Sequence, residues 1–215
     1  MRKVRMICSV LLLVMITGGC SMSEFPGDAY TEAVMDYYYK GEQEDYRTLT
    51  REDKDVIQKQ YEESITAQKE AYLSYFGLDT VTEEAGRKLE KFVKMVYEYA
   101  SYEITDCVFK ENEQIITVCV RPIAFYKLAD REVSEYIEQF RQKTEDGEYL
   151  YQNEEEYQSV YLEGLLKLYE KRLEDIEYLE KQDYTVTLHR SGKEYVADED
   201  AFEKIDAAVI AFSEE

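Results

Sequence analysis

The groups in this chain that could do chemistry are thiols, a single imidazole and a large excess of carboxylates. The 215 residues include four cysteines, one histidine, 26 lysines and arginines, and 47 aspartates and glutamates. A thiol can be lipidated or oxidised to a disulfide, an imidazole can transfer a proton, and two carboxylates can hydrolyse a sugar or hold calcium. The spacing of these groups decides which of these reactions the chain can support.

Cys20 ends a leader of twenty residues that has the features of an export signal. The leader consists of a basic start, a short apolar run and a small-residue site, which are Arg2, Lys3 and Arg5, residues 6–16, and Thr17-Gly18-Gly19-Cys20. The apolar run is too short to span a bilayer as a stable helix. A secretory signal that happens to contain a cysteine and an uncleaved membrane anchor are the alternatives.

The leader resembles the lipobox family of bacterial export signals, in which the cysteine receives a diacylglycerol and becomes the first residue after cleavage. We therefore predict a signal peptide at 1–19, a lipidated tether at 20–28 and one domain at 29–215. Two or more acyl chains anchor stably, whereas one is marginal. The protein is expected at the outer face of the bacterial cell membrane, attached through Cys20.

The charge of the predicted mature chain excludes one class of partner. Without residues 1–19 it carries 23 basic and 47 acidic residues, a formal charge of −24. Such a domain repels nucleic-acid phosphates and anionic headgroups, so no nucleic-acid partner is expected. The sequence is 45% hydrophobic and 13% aromatic, which is enough to form a core at this length.

Cys107 and Cys119 are the thiols left on the predicted domain, in two strand-like runs. A three-residue loop at 112–114 would place Cys107 opposite Cys119 and allow a disulfide. A two-residue loop would place it opposite Val118, away from Cys119. The sequence leaves a bridge and two separate buried cysteines as equal alternatives.

The elements that must position these groups are helices and two hairpins. Helical spacing and capping residues predict helices from Asp28 to before Gly41, from 50–53 to Gly77, from Thr82 to 100, over 130–142, from Asn153 to about 180, and from Asp198 or Asp200 to 212. Alternation predicts strands at 102–109, 115–120, 184–188 and 194–197, the second of which ends at Pro122. The order predicts an α+β fold, rich in helix, with antiparallel strands. Leu89, Phe92, Val93, Val96 and Ala100 form an apolar stripe expected to pack against the first hairpin.

Two segments carry a family resemblance. Residues 116–123, together with 184–188, Gly192-Lys193 and a closing helix, resemble a group of Gram-positive bacterial lipoproteins of unknown function. The resemblance implies a cystatin-like or nuclear transport factor 2-like fold, with helices on a curved antiparallel sheet. Tyr195 stands where such folds often have tryptophan, and no functional residue can be transferred.

The remaining candidates for chemistry are better explained by structure. His189 is interpreted as a surface strand residue, and no CxxC, HExxH or phosphate-loop motif occurs. Acidic clusters at 42–45, 154–156 and 198–200 lack the EF-hand pattern for calcium, and the latter two fit helix starts, where negative charge is favourable. We predict no catalytic residue, metal ligand or cofactor.

The 21 tyrosines leave two hypotheses for function. Most tyrosines fall on helical apolar stripes, where packing explains them, although rings on a concave sheet could hold a sugar or a peptide. The first hypothesis is a non-enzymatic module that binds a peptide, a glycan or an envelope protein, and the second is a carboxylate-dependent hydrolase. A tyrosine-lined apolar groove would favour the first, and closely paired buried carboxylates would favour the second.

Replacement of Cys20 by serine tests the anchor. The variant Cys20→Ser is expected to lose all incorporation of radiolabelled lipid, because only a thiol at this position can form the thioether. Labelled lipid on the serine variant would contradict the lipobox assignment.

Overall fold

The computed structural model describes residues 13–15, 25–148, 151–192, 194–198 and 200–213. The helices are α1 (Gly27–Met35), continued by a π-helical turn (Asp36–Lys40), α2 (Glu44–Thr50), α3 (Lys54–Phe76), α4 (Glu83–Tyr97), α5 (Asp130–Glu145), α6 (Glu154–Glu170) and α7 (Ala201–Val209). The strands are β1 (Leu13–Met15), β2 (Ser101–Lys110), β3 (Glu113–Arg121), β4 (Gln182–Ser191) and β5 (Glu194–Ala197). Cys20 and most of the predicted signal peptide lie outside these residues. No helix among them is long and apolar enough to cross a membrane.

The sheet is antiparallel throughout, in the order β1-β5-β4-β3-β2. Its centre is the ladder between β3 and β4, in which Glu113 lies opposite His189 and Val120 opposite Gln182. The short strand β1, within the predicted signal peptide, pairs with the outer edge of β5. This arrangement confirms the predicted α+β fold, rich in helix and with an antiparallel sheet.

One face of the sheet forms the core, and the other faces solvent. Alternate side chains of the central strands are completely buried on the inner face: Ile116, Val118, Val120, Val186 and Leu188. Helices α1 and α7 pack against this part of the sheet. On the opposite face, Thr185 and Val108 are exposed, as expected for an antiparallel sheet covered on one side.

Local capping signals in the sequence place several helix ends correctly. The Asp53 carboxylate accepts a hydrogen bond from the Asp55 N–H, and Thr82 and Asn153 cap α4 and α6 in the same way. Gly41 and Gly77 end their helices with φ of 74° and 70°, the left-handed conformation that favours glycine.

Other element boundaries differ from the prediction. Helix α2 was not expected, and α6 ends at Glu170 instead of near 180, because residues 177–179 leave the helix to pair with 122–124. Asp28 lies in the first turn of α1 and does not cap it. The predicted tether is also shorter than 20–28, since Phe25 is already buried in the fold.

Gln114 fixes the start of the domain onto β3. Its buried side chain accepts a hydrogen bond from the Gly27 N–H and donates one to the Phe25 carbonyl, both at 3.1 Å. A Cβ at position 27 would lie 2.1 Å from Gln114 Oε1, so a larger residue there would displace the Gln114 amide. The Phe25 ring also stacks on Tyr195, with centroids 4.7 Å apart.

The predicted stripe on α4 is buried. Leu89, Phe92, Val93 and Val96 are fully buried, and Ala100 is half-buried. Phe92 contacts aromatic rings of α3, α6 and the segment after β3: Tyr72, Tyr169 and Phe125. Its burial is therefore confirmed, and its packing against the hairpin strands stays a prediction.

The variant Phe92→Ala should lower the free energy of unfolding by about 3 to 5 kcal/mol, because it removes a buried ring and leaves a cavity. Urea denaturation would measure this change. Phe109, which is 52% exposed, provides a matched control, and Phe109→Ala should cost less than about 0.5 kcal/mol. Equal losses in the two variants would contradict the packing of Phe92.

Candidate functional site

A groove beside α7, which is larger than a second cleft at the start of α5, is the best candidate for a ligand site. We call it the α7 groove; its volume is about 460 Å³, within the usual range for ligand pockets. Three aromatic rings form part of its wall: Tyr126, Tyr184 and Phe212. Three alanines leave space between them, namely Ala207 and Ala208 of α7 and Ala211 just after it. The remaining lining is Pro122, Leu179, Gln182, Lys204, Ile210 and Ser213.

Three chain segments meet to form the base of the groove. The Ile123 N–H donates to the Val209 carbonyl and the Ala211 N–H to the Ile123 carbonyl, both at 2.9 Å. On the other side, the Leu179 N–H donates to the Pro122 carbonyl at 2.8 Å. These bonds join the end of β3, the approach to β4 and the end of α7 into one rigid element.

Phe212 connects the groove wall to a cluster of buried rings. Its centroid lies 5.0 Å from Tyr75, 5.1 Å from Tyr72 and 5.5 Å from Phe125. Such tilted and edge-on contacts hold rings in defined positions. The wall is therefore preformed and needs little ordering when a ligand binds.

The polar groups that line the groove are few among the described residues, and none of these is a carboxylate. The Tyr184 hydroxyl donates to Gln182 Oε1 at 2.7 Å, and Lys204 pairs with Asp200 at 2.5 Å. Amide, hydroxyl and ammonium groups can orient a ligand by hydrogen bonds. The lining offers shape and apolar contact in place of acid–base chemistry.

A second cleft, of about 300 Å³, lies at the start of α5 and contains both signs of charge. Arg172 contacts Glu132 and lies 2.8 Å from Asp175. The hydrogen bond from Arg172 holds the pKa of Glu132 below its ordinary value. A general acid at neutral pH needs a shift in the opposite direction, so Glu132 is unsuited to that role.

Asp206 is the single acidic side chain buried within the part of the chain that the structure describes. Burial raises its pKa to about 6, although a hydrogen bond from Tyr39 opposes the shift. Because Asp206 lies on the core side of α7 and no second buried carboxylate accompanies it among these residues, the paired arrangement expected of a hydrolase does not occur there.

His189 links two parts of the fold. Its Nε2 lies 2.7 Å from Asp198 Oδ1, and its Nδ1 lies 3.2 Å from Glu113 Oε1. The side chain is 45% exposed, in agreement with a surface strand residue. It joins the start of β3 to the connection between β5 and α7.

The two cysteines of the hairpin are separate, so of the two alternatives that the sequence left open the structure has the one without a disulfide. Cys107 lies opposite Ile116, on the core face, whereas Cys119 lies opposite Glu103, on the other face. Both thiols are free, and burial raises the pKa of each. The cause is the register set by a two-residue turn at 111–112, which the sequence did not reveal and which places the partner of Cys107 three residues before Cys119 in β3.

The acidic clusters do not assemble a metal site among the described residues, where no group of three potential ligands occurs. Glu154, Glu155 and Glu156 occupy the first turn of α6, as interpreted from the sequence. Glu44 and Asp45 likewise begin α2, which adds a third acidic helix start.

The tyrosines are mostly packing residues. They form ring clusters that hold helices together, around Tyr37 and Tyr46, around Tyr39 and Tyr97, and around Tyr136 and Tyr161. Tyr126 and Tyr184 differ because they line the α7 groove. Sequence reasoning missed this site, since its residues are distant in the chain.

Comparisons with known proteins define the fold and little more. No family model matches the chain, and no curated protein matches it at a significant level. The fold is similar to that of the ycdA protein of Bacillus subtilis subsp. subtilis str. 168, a crystal structure described as a "putative lipoprotein", with 17% identity and a TM-score of 0.61. The match covers 86% of this chain and 56% of that one, so the chain spans little more than half of its neighbour. The implied likeness to a Gram-positive lipoprotein holds at the level of the fold, whereas the cystatin-like assignment remains a prediction.

Substitution of Asp206 tests the electrostatics of the core. Its folded pKa lies above the ordinary value of 3.8, so the stability that the neutral acid gives is present below pH 3.8 and lost as pH rises through about 6. Asp206→Asn should therefore raise the free energy of unfolding by about 3 kcal/mol at pH 8, and by much less at pH 4. Urea denaturation at both pH values would measure this, with the exposed Asp146→Asn as a control that changes little. A pH-independent effect would contradict the assignment.

Proposed function

We propose that this protein is a membrane-anchored extracytoplasmic lipoprotein whose α7 groove binds a peptide segment through an aromatic or aliphatic side chain. The observation that carries the proposal is the preformed groove with aromatic walls, whose lining between Pro122 and Ser213, as far as the structure describes it, contains no carboxylate. The anchor is supported by the lipobox-like leader that ends at Cys20, and by the similarity of the fold to a structure described as a lipoprotein.

A peptide fits the lining of the groove better than a glycan does. The alanines at 207, 208 and 211 leave space beside Tyr184 and Phe212 for one bulky side chain. Sugar hydroxyls need many hydrogen-bonding partners, whereas the groove supplies few. An apolar side chain, in contrast, gains from burial at about 25 cal/mol per Å².

The charge of the protein restricts the peptide further. A formal charge of −24 on the predicted mature chain repels anionic ligands and attracts basic ones at low salt. Lys204 does not reverse this preference, because Asp200 neutralises it locally. The expected ligand is therefore neutral or basic.

Titration of the soluble domain, residues 25–215, with two small probes tests the proposal. N-acetyl-phenylalaninamide presents an aromatic side chain between two peptide groups, and N-acetylglucosamine presents a sugar. In spectra of protein with ¹³C-labelled alanine methyls, the signals of Ala207, Ala208 and Ala211 should shift with the first probe and not with the second.

A variant that fills the groove supplies the control. Ala208→Leu should weaken the affinity for N-acetyl-phenylalaninamide at least tenfold, because its larger side chain occupies the space beside the rings. A tenfold loss of affinity corresponds to about 1.4 kcal/mol of binding free energy. Ala67→Leu makes the same change on α3, away from both clefts, and should leave the shifts unaltered. Shifts with N-acetylglucosamine alone would favour a glycan, and no shift with either probe would contradict binding at this groove.

A further inference from the structure

The central ladder of the sheet has two ends with different roles. The turn between β2 and β3 and the turn after β4 lie at one end, near Asn112 and Ser191, which we call the turn end. The α7 groove lies at the other end, where Pro122 follows β3 and Gln182 begins β4. The two ends are separated by the full length of β3.

The N-terminal segment enters the fold at the turn end. Phe25 is buried against Tyr195 of β5, and Gln114, the second residue of β3, binds both Phe25 and Gly27. Gln114 is only 1% exposed, so the clamp is shielded from water. The position at which any N-terminal tether meets the domain is thus fixed.

Chain geometry makes the tether short compared with the sheet. Cys20 and Phe25 are five residues apart, which at about 3.5 Å per residue allows no more than ~18 Å. From Gln114 to Pro122 the strand advances eight residues, about 27 Å at ~3.4 Å per residue. A lipid on Cys20 therefore keeps the turn end close to the headgroups, while the groove can lie much farther out.

Charge favours an upright arrangement, in which the turn end faces the membrane and the groove end points away, over one in which the domain lies flat on the headgroups. The predicted mature chain carries a formal charge of −24, and anionic headgroups repel it. If only the turn end lies within a Debye length of the headgroups, about 8 Å at physiological salt, most of the domain's charge stays outside the range of this repulsion. Repulsion thus acts in the same direction as the fixed attachment point.

We infer that the anchored protein stands with its turn end toward the membrane and its α7 groove pointing away from it. The inference rests on the proposed lipid anchor, and it specifies from which side of the protein the ligand reaches the groove. The groove takes its peptide from the aqueous envelope, or from a partner beyond the membrane surface, and not from the bilayer.

Fluorescence quenching of the full-length lipidated protein in vesicles tests the orientation. Single labelling sites are introduced by Asn112→Cys at the turn end and Ser213→Cys at the groove end, in a background with Cys107→Ala and Cys119→Ala whose melting temperature matches that of the parent. The vesicles contain phosphatidylglycerol and a lipid with a quencher on its headgroup. The background protein without an added cysteine controls for stray labelling.

Quenching at position 112 should exceed quenching at position 213 several-fold. Equal quenching would indicate a flat or freely tumbling domain, and stronger quenching at position 213 would indicate a groove facing the membrane; either result overturns the inference. The titration of the soluble domain does not depend on orientation, so peptide binding can succeed when this test fails. Absence of lipid on Cys20 would overturn both the anchor and the orientation.

Discussion

The pairing of β3 with β4 is the interaction on which the rest of the molecule depends. These strands are separated by about sixty residues of chain, and their ladder aligns the inner faces that carry Ile116, Val118 and Val186. Helices bury this face, while the other face stays in water. The ladder also separates the entry of the chain, at one end, from the α7 groove, at the other.

The interior of the domain is filled mainly by aromatic rings, and not by the paired buried carboxylates that a hydrolase would need. Rings from α3, α6 and the segment after β3 meet in the core, and Phe212 extends this cluster to the groove wall. The carboxylates lie mainly at helix starts and in surface ion pairs, where they keep the domain soluble. The exception is Asp206, whose burial lowers the stability of the fold at neutral pH, so packing does not explain why an aspartate occupies this position.

The edges of the sheet have features that disfavour association through unpaired strands. Strand β2 is interrupted by a bulge and carries charged residues, both of which disfavour pairing with another chain. At the other edge, the three-residue β1 pairs with β5, which has only four residues. If the predicted signal peptide is removed, β1 leaves with it, and a strand this short offers few free backbone groups to a neighbour.

The sequence by itself determined the features that depend on neighbouring residues. Asp53, Thr82 and Asn153 begin helices, Gly77 ends one, and alternation in 184–188 marks a strand, because capping and periodicity act over a few residues. The tertiary structure decided the rest. The separation of Cys107 from Cys119 depends on the register in which β2 pairs with β3, and the early end of α6 depends on pairing with residues 122–124. The groove joins Tyr126, Tyr184 and Phe212, which only long-range packing brings together.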